Sequence, residues 1–173
     1  MGLRRQLSDV FGSNSIEALE RKRDYARLVR KLAKTESDKD EHEIEEAIKR
    51  LGDVRAAGGL IKLVIDRCRM RHEVLEVAKT IENQAISSHP LGSIISQYGS
   101  VMMSGPSPAA AQHREADSHS SRASAALRCL DRLKASDAIK AALADPSLGS
   151  KRAPYIADVR DRLERTLRQI ERT

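Results

Sequence analysis

Residues 48–66 read IKRLGDVRAAGGLIKLVID: the end of one helix, a polar break, and the start of another. Upstream, Ile44, Ala47, Ile48 and Leu51 recur at three- and four-residue spacing, which predicts a helix over 41–51 with one apolar stripe. Asp40 followed by Glu43 predicts a capping box at its start. Gly52 suits the left-handed residue that ends a helix, and Asp53 suits the N-cap of the next. Beyond the break, Val54, Ala57, Leu60, Ile61, Val64 and Ile65 form the stripe of a helix over 54–66.

The same periodicity extends outward from this unit. Tyr25, Leu28, Val29 and Leu32 mark a helix over 24–34, and Val74, Leu75, Ala78 and Ile81 one over 72–84. Pro90 suits the first position of a short helix carrying Leu91, Ile94 and Ile95. From 99 to 121 the chain is rich in Ser, Ala and Pro, which predicts a flexible insertion. Helical spacing resumes over 122–134 (Ala123, Ala126, Leu127, Leu130, Leu133) and 137–144 (Ile139, Ala142, Leu143). Pro154 opens a last helix, 155–171, with Ile156, Val159, Leu163, Leu167 and Ile170 on one side. No stretch shows the alternation of a strand, so the expected class is all-α.

At 173 residues the chain suits a single domain, 1–173. One Phe, three Tyr and no Trp exclude a platform of stacked aromatics for single-stranded nucleic acid. With 40% hydrophobic and 32% charged residues, wholesale disorder is excluded. No apolar run approaches the ~20 residues that span a bilayer, so no membrane role is expected. The start, MGLRRQLSDVFG, lacks the apolar core of a secretory signal, and Gln6 stands where a myristoylation motif needs Ser or Thr. Cys68 and Cys129 then read as reduced thiols of a cytoplasmic protein. The net charge of +6 is uneven: residues 1–34 carry +5, 35–53 carry −5 and 125–173 carry +4. That basic–acidic–basic pattern argues against a continuous phosphate-tracking stripe.

Residues 48–66, 78–97 and 129–145 align as copies of one unit, a helix end, a polar turn and a second helix. Leu51, Gly52, Asp53, Arg55, Ala56, Leu60 and Ile61 resemble the short HEAT repeat of phycobilisome-lyase-like proteins, and IEALERKRD (16–24) resembles the opening of such proteins. The resemblance implies an α-solenoid of about four helix pairs, with helices 41–51, 72–84, 122–134 and 155–171 on a concave partner-binding face. The candidate partner contacts on those helices are Glu45, Lys49, Glu76, Lys79, Arg128, Arg132, Arg162 and Arg165. It also implies a non-enzymatic scaffold for another protein. The alternatives are nucleic-acid backbone binding through Arg128, Arg132, Arg162 and Arg165, or a lyase or chaperone role on a tetrapyrrole-bearing protein. The HEAT-like alkylpurine glycosylases hold duplex DNA by its backbone, but the aromatics needed around a damaged base are nearly absent here.

Chemistry-bearing motifs are sparse. His42, His72, His89, His113 and His119 include no pair at metal-ligand spacing, and His113, Asp117 and His119 fall in the expected loop. Cys68 lies in RCRMRH, where the arginines favour a thiolate, although its helical position favours an inert thiol. No phosphate loop, nucleophile elbow or paired catalytic carboxylates occur, so neither catalysis nor a cofactor is expected. The acidic run 36–46 reads as a solvated helix start. The chain reads as a monomer, with 155–171 the alternative dimer contact.

Overall fold

A computed structural model describes residues 15–35, 37–88, 107–149 and 153–173. Every regular element among them is helical: α1 (Ile16–Arg21), α2 (Tyr25–Lys34), α3 (Asp38–Leu51), α4 (Ala56–Ser88), α5 (Ala110–Arg132), α6 (Ser136–Ala144), α7 (Pro146–Gly149) and α8 (Pro154–Arg172). The short helix expected from Pro90, residues 99–106 of the expected insertion, and the N-terminal segment lie outside the described residues.

The turns follow from local chemistry. Ser15, Asp24 and Ser37 each cap a helix, their side chains accepting the backbone N–H of Ala18, Arg27 and Asp40. The cap of α3 is thus Ser37, not Asp40, and the helix starts three residues earlier than expected. A hydroxyl there leaves Asp38, Asp40 and Glu41 free to complement the positive helix end. Gly52 adopts φ 58°, and the Asp53 carboxylate accepts from the Arg55 backbone N–H at 2.9 Å, as expected for this break. Arg23 and Lys134 take the same left-handed geometry without being glycine, and end α1 and α5.

Two expectations fail. The helices over 54–66 and 72–84 are one unbroken helix of 33 residues, α4. Residues 66–72 contain no Gly or Pro to interrupt the hydrogen-bond ladder. The expected loop also contains helix: 110–121 is the first half of α5. Its Ala-rich composition sustains a helix without displaying a wide apolar stripe.

α4 and α5 pack antiparallel as the principal contact of the fold, and α2, α6 and α8 also pack against α4. One apolar cluster draws Leu28, Leu32, Ile44, Ile48, Leu60, Val64, Leu130, Ile139, Val159 and Leu163 from both ends of the chain. Burying each such side chain contributes roughly 1.5–3 kcal/mol. From α4 the cluster takes nothing beyond Cys68, and from α5 nothing before Ala123. The hairpin therefore has a packed base and an arm, residues 70–88 with 107–118; among its described side chains only Ala78, Ala109 and Ala116 are fully buried. The Gly58–Gly59 pair needs no close neighbour: a Cβ on Gly58 would meet nothing, and one on Gly59 only Val29 at 3.5 Å.

Candidate functional site

The eight sequence-predicted contacts divide into three sets. Glu45, Arg128 and Arg132 form one network between α3 and α5, in which the Glu45 carboxylate is buried and both guanidinium groups are partly exposed. Glu45 is 3% exposed yet sits on the polar edge of the α3 stripe. It accepts from Arg128 Nε and Nη2 at 3.1 and 2.5 Å. Arg128 also donates to Glu41 at 2.8 Å, and Arg132 to Glu46 at 2.5 Å. The hydrogen bonds that Arg128 donates to Glu45 hold the Arg128 pKa above its ordinary value. Burial, the largest influence on Glu41, raises its pKa against the pull of Arg128. A forked guanidinium on a buried carboxylate is the strong form of such a pair; here it fastens α3 to α5.

Arg162 and Arg165 lie one turn apart on α8, bound to Asp158 at 2.9 Å and to Asp161 respectively. Arg162 also reaches the Ser120 hydroxyl at 3.3 Å. Lys49 pairs with Glu46 on α3, and Lys79 with Glu76 on the arm. All eight side chains thus have ionic partners within the chain. The structure brings Glu45, Arg128, Arg132 and, through Glu46, Lys49 together. It leaves Glu76–Lys79 and Arg162–Arg165 on separate surfaces.

A row of cations without carboxylate partners lies elsewhere, on α2. Arg27, Arg30, Lys31 and Lys34 line a groove of about 250 Å³ beside Leu19 of α1. Arg27 engages Asp24 at 3.2 Å, whereas Arg30, Lys31 and Lys34 have no carboxylate within ion-pair distance among the described residues. Their spacing of three and four residues puts them on one side of the helix, a signal present in the sequence but hidden under the total for residues 1–34.

Behind this row a second cluster anchors the end of α2. Arg67 donates to the Ala33 carbonyl, and Arg122 Nε donates to the Thr35 carbonyl at 3.0 Å. These two carbonyls close the helix end that has no partners of its own. His119 is buried beside them, its Nδ1 3.1 Å from Arg67 Nη1. Arg67 can only donate, so Nδ1 is the acceptor and the proton sits on Nε2, which faces Glu115 at 3.8 Å. Burial first, then Arg67, lowers the His119 pKa.

Reactive chemistry has little foothold. Cys68 and Cys129 are free and buried, and burial pushes both thiols up to about 12. The thiolate favoured by the arginines around Cys68 is therefore not formed: desolvation outweighs them, with Asp158 adding to it. His113 pairs with Glu82 at 3.0 Å on the arm, six residues from His119 and apart from it in role. Among the described residues no group of three His, Cys, Asp or Glu side chains is placed to hold a metal ion, and no helix is long and apolar enough to cross a membrane. Comparison with protein-family models, with curated proteins and with solved structures finds no match for the chain.

Proposed function

We propose that this chain is a non-enzymatic helical scaffold that binds another protein, and that the α2 groove receives an acidic segment of that partner. The observation that supports the reading most is the contrast in pairing. Among the eight candidate contacts, Lys49, Arg128, Arg132, Arg162 and Arg165 are matched by carboxylates of the chain itself, whereas Arg30, Lys31 and Lys34 stand together without one among the described residues. The row from Arg27 to Lys34 spans about 10 Å of helix, the reach of a short acidic peptide rather than of a tracked duplex. A HEAT-like solenoid remains part of the reading, supported by the turn at Leu51–Ala56; the unbroken α4 departs from the helix pair that such an array would place there.

The test is fluorescence anisotropy with a labelled Glu/Asp-rich peptide, on the native chain and on an Arg30→Glu/Lys31→Glu/Lys34→Glu variant. Binding is expected to weaken at least tenfold in the variant, and crosslinking in native extract should map a partner to α2. Equal binding by both forms would contradict the reading. Preferential binding of duplex DNA, with affinity falling steeply with salt, would replace it with backbone recognition.

A further inference from the structure

The end of α2 is held from outside the helix. Thr35 N–H donates to the Lys31 carbonyl at 3.0 Å, but the Ala33 and Thr35 carbonyls take their donors from Arg67 of α4 and Arg122 of α5. Arg67 is in turn positioned by His119. The imidazole is 6% exposed and accepts through Nδ1 from Arg67 Nη1 at 3.1 Å, while Arg67 Nη2 donates to Ala33. One guanidinium thus joins a helix end to a buried group whose charge can change.

The chemistry of that pair is one-sided. Arg67 keeps its proton and can only donate. His119 accepts only while Nδ1 is bare. A proton there sets N–H against N–H and cation against cation across 3.1 Å, and the contact is lost. The other charged groups around the ring are divided. Glu115 of α5, 3.8 Å from Nε2, favours the imidazolium but stops short of a hydrogen bond, and Arg122 of α5 opposes it. Asp66 of α4 offsets part of the charge of Arg67. Asp38 and Glu41 of α3 line a groove with Arg122, and Arg162 of α8 reaches the hydroxyl of Ser120, the next residue along. α2 turns carbonyls toward the cluster, whereas Arg30 and Lys34 are exposed and line the cationic groove.

We infer that His119 is a pH-operated latch on the α2 groove: protonation of Nδ1 releases Arg67, bares the Ala33 carbonyl and loosens the last turn of α2, which carries Lys31 and Lys34. The consequence for binding rests on the acidic-segment reading; the latch does not. Linkage gives the sign. Burial and Arg67 hold the latched imidazole below the ordinary value of about 6.5, whereas a released and hydrated ring titrates near it. Acid therefore favours release. One pH unit below 6.5, the ratio of released to latched chains rises by up to about tenfold. The start of α2 keeps its Asp24 cap on the Arg27 N–H. The cationic row is thus shortened in acid, from the Lys34 end, and affinity for an acidic segment falls.

Amide hydrogen exchange on the full chain at pH 7.5 and 5.5, corrected for the chemical rate at each pH, tests the latch at Lys34 and Thr35. Exchange there that is insensitive to low urea reports local release rather than global unfolding. The native chain is expected to lose about three- to tenfold in protection at the lower pH. It should also bind the labelled Glu/Asp-rich peptide about threefold more weakly; the peptide stays ionised, since its carboxylates titrate near about 4. His119→Asn puts a carbonyl oxygen that does not titrate where Nδ1 lies, and should abolish both changes. Arg67→Met removes the latch and leaves the imidazole, and should give low protection at both pH values. Native protection that does not change with pH, or a loss that persists in His119→Asn, would overturn the latch. Lost protection without weaker binding would overturn its control of the groove. A peptide that fails to bind the native chain at pH 7.5 would sink the acidic-segment reading alone, with the latch still decided by exchange.

Discussion

One helix, α4, lives in two environments. Over 56–68 it buries Ala56, Ala57, Leu60, Ile61, Leu63, Val64 and Cys68; over 70–88 it buries Ala78 alone, side chains being described to Ser87. Apolar content does not separate the halves, since the arm holds Val74, Leu75, Val77, Ile81 and Ile86. Coverage does. Around the base, α1–α3 and α6–α8 close one core, whereas the arm has α5 for a neighbour and contacts such as Glu82–His113 in place of Leu–Leu packing. An amphipathic pattern records what a helix can bury, and the tertiary contacts decide how much of it is buried. Local opening should therefore start in the arm.

The largest effect should come from hollowing the base. Leu130→Ala removes a fully buried side chain and is expected to cost about 2–5 kcal/mol in urea unfolding. Val77→Ala on the arm should stay within about 0.5 kcal/mol. Equal losses would erase the distinction between the halves.

The ion pairs sharpen it further. Arg128→Ala leaves the buried Glu45 carboxylate with Arg132 at 3.8 Å as its nearest cation and should cost roughly 2–3 kcal/mol. Arg165→Ala breaks an exposed pair on α8 and should not measurably change the unfolding midpoint. A neutral Arg128→Ala would show that the network does not fasten α3 to α5.

Helix propensity gives the next effect. Gly58→Ala has open space for its methyl group and should stabilise the chain by about 0.5–1 kcal/mol, because α4 is helical there with or without the glycine. Destabilisation would reveal a close neighbour at that position.

The pH response of the base comes from His119. Its pKa in the folded chain lies below the ordinary value of about 6.5. Below about pH 6.5 the unfolded chain therefore takes up a proton that the folded chain does not, and stability falls on acidification. Above that pH the contribution is fully present. His119→Gln should lose less stability than the native chain between pH 7.5 and 5.5, measured by the shift in urea midpoint. An equal loss would remove His119 as the cause.

Much of the base was legible in the sequence, because its stripes are the ones the core buries: Leu28, Val29 and Leu32; Ile44, Ala47 and Ile48; Ile156, Val159, Leu163 and Ile170. The apolar stripe of α8 joins the same cluster. The arm was misread for two physical reasons. The run DRCRMRH (66–72) is polar enough to resemble a turn, but it contains no residue that ends a helix. Residues 110–121 bury only Ala116 and His119, too narrow a face to show as a stripe. The internal pairing of the candidate contacts was hidden for a different reason. Glu45 and Arg128 stand 83 residues apart, so local charge patterning cannot show that they neutralise each other. The α2 row, within one helix, could have been found.

The continuity of α4 carries the whole account, and a single distance tests it. Spin labels at Lys62→Cys and Ser87→Cys, both exposed positions, attach selectively because the native thiols are buried with pKa values of about 12. Diluted with unlabelled chain, the labels should give one narrow distribution near ~38 Å, the rise of an unbroken helix over that span. A distance below ~25 Å would mean that the chain folds back as a packed helix pair, and would contradict the account.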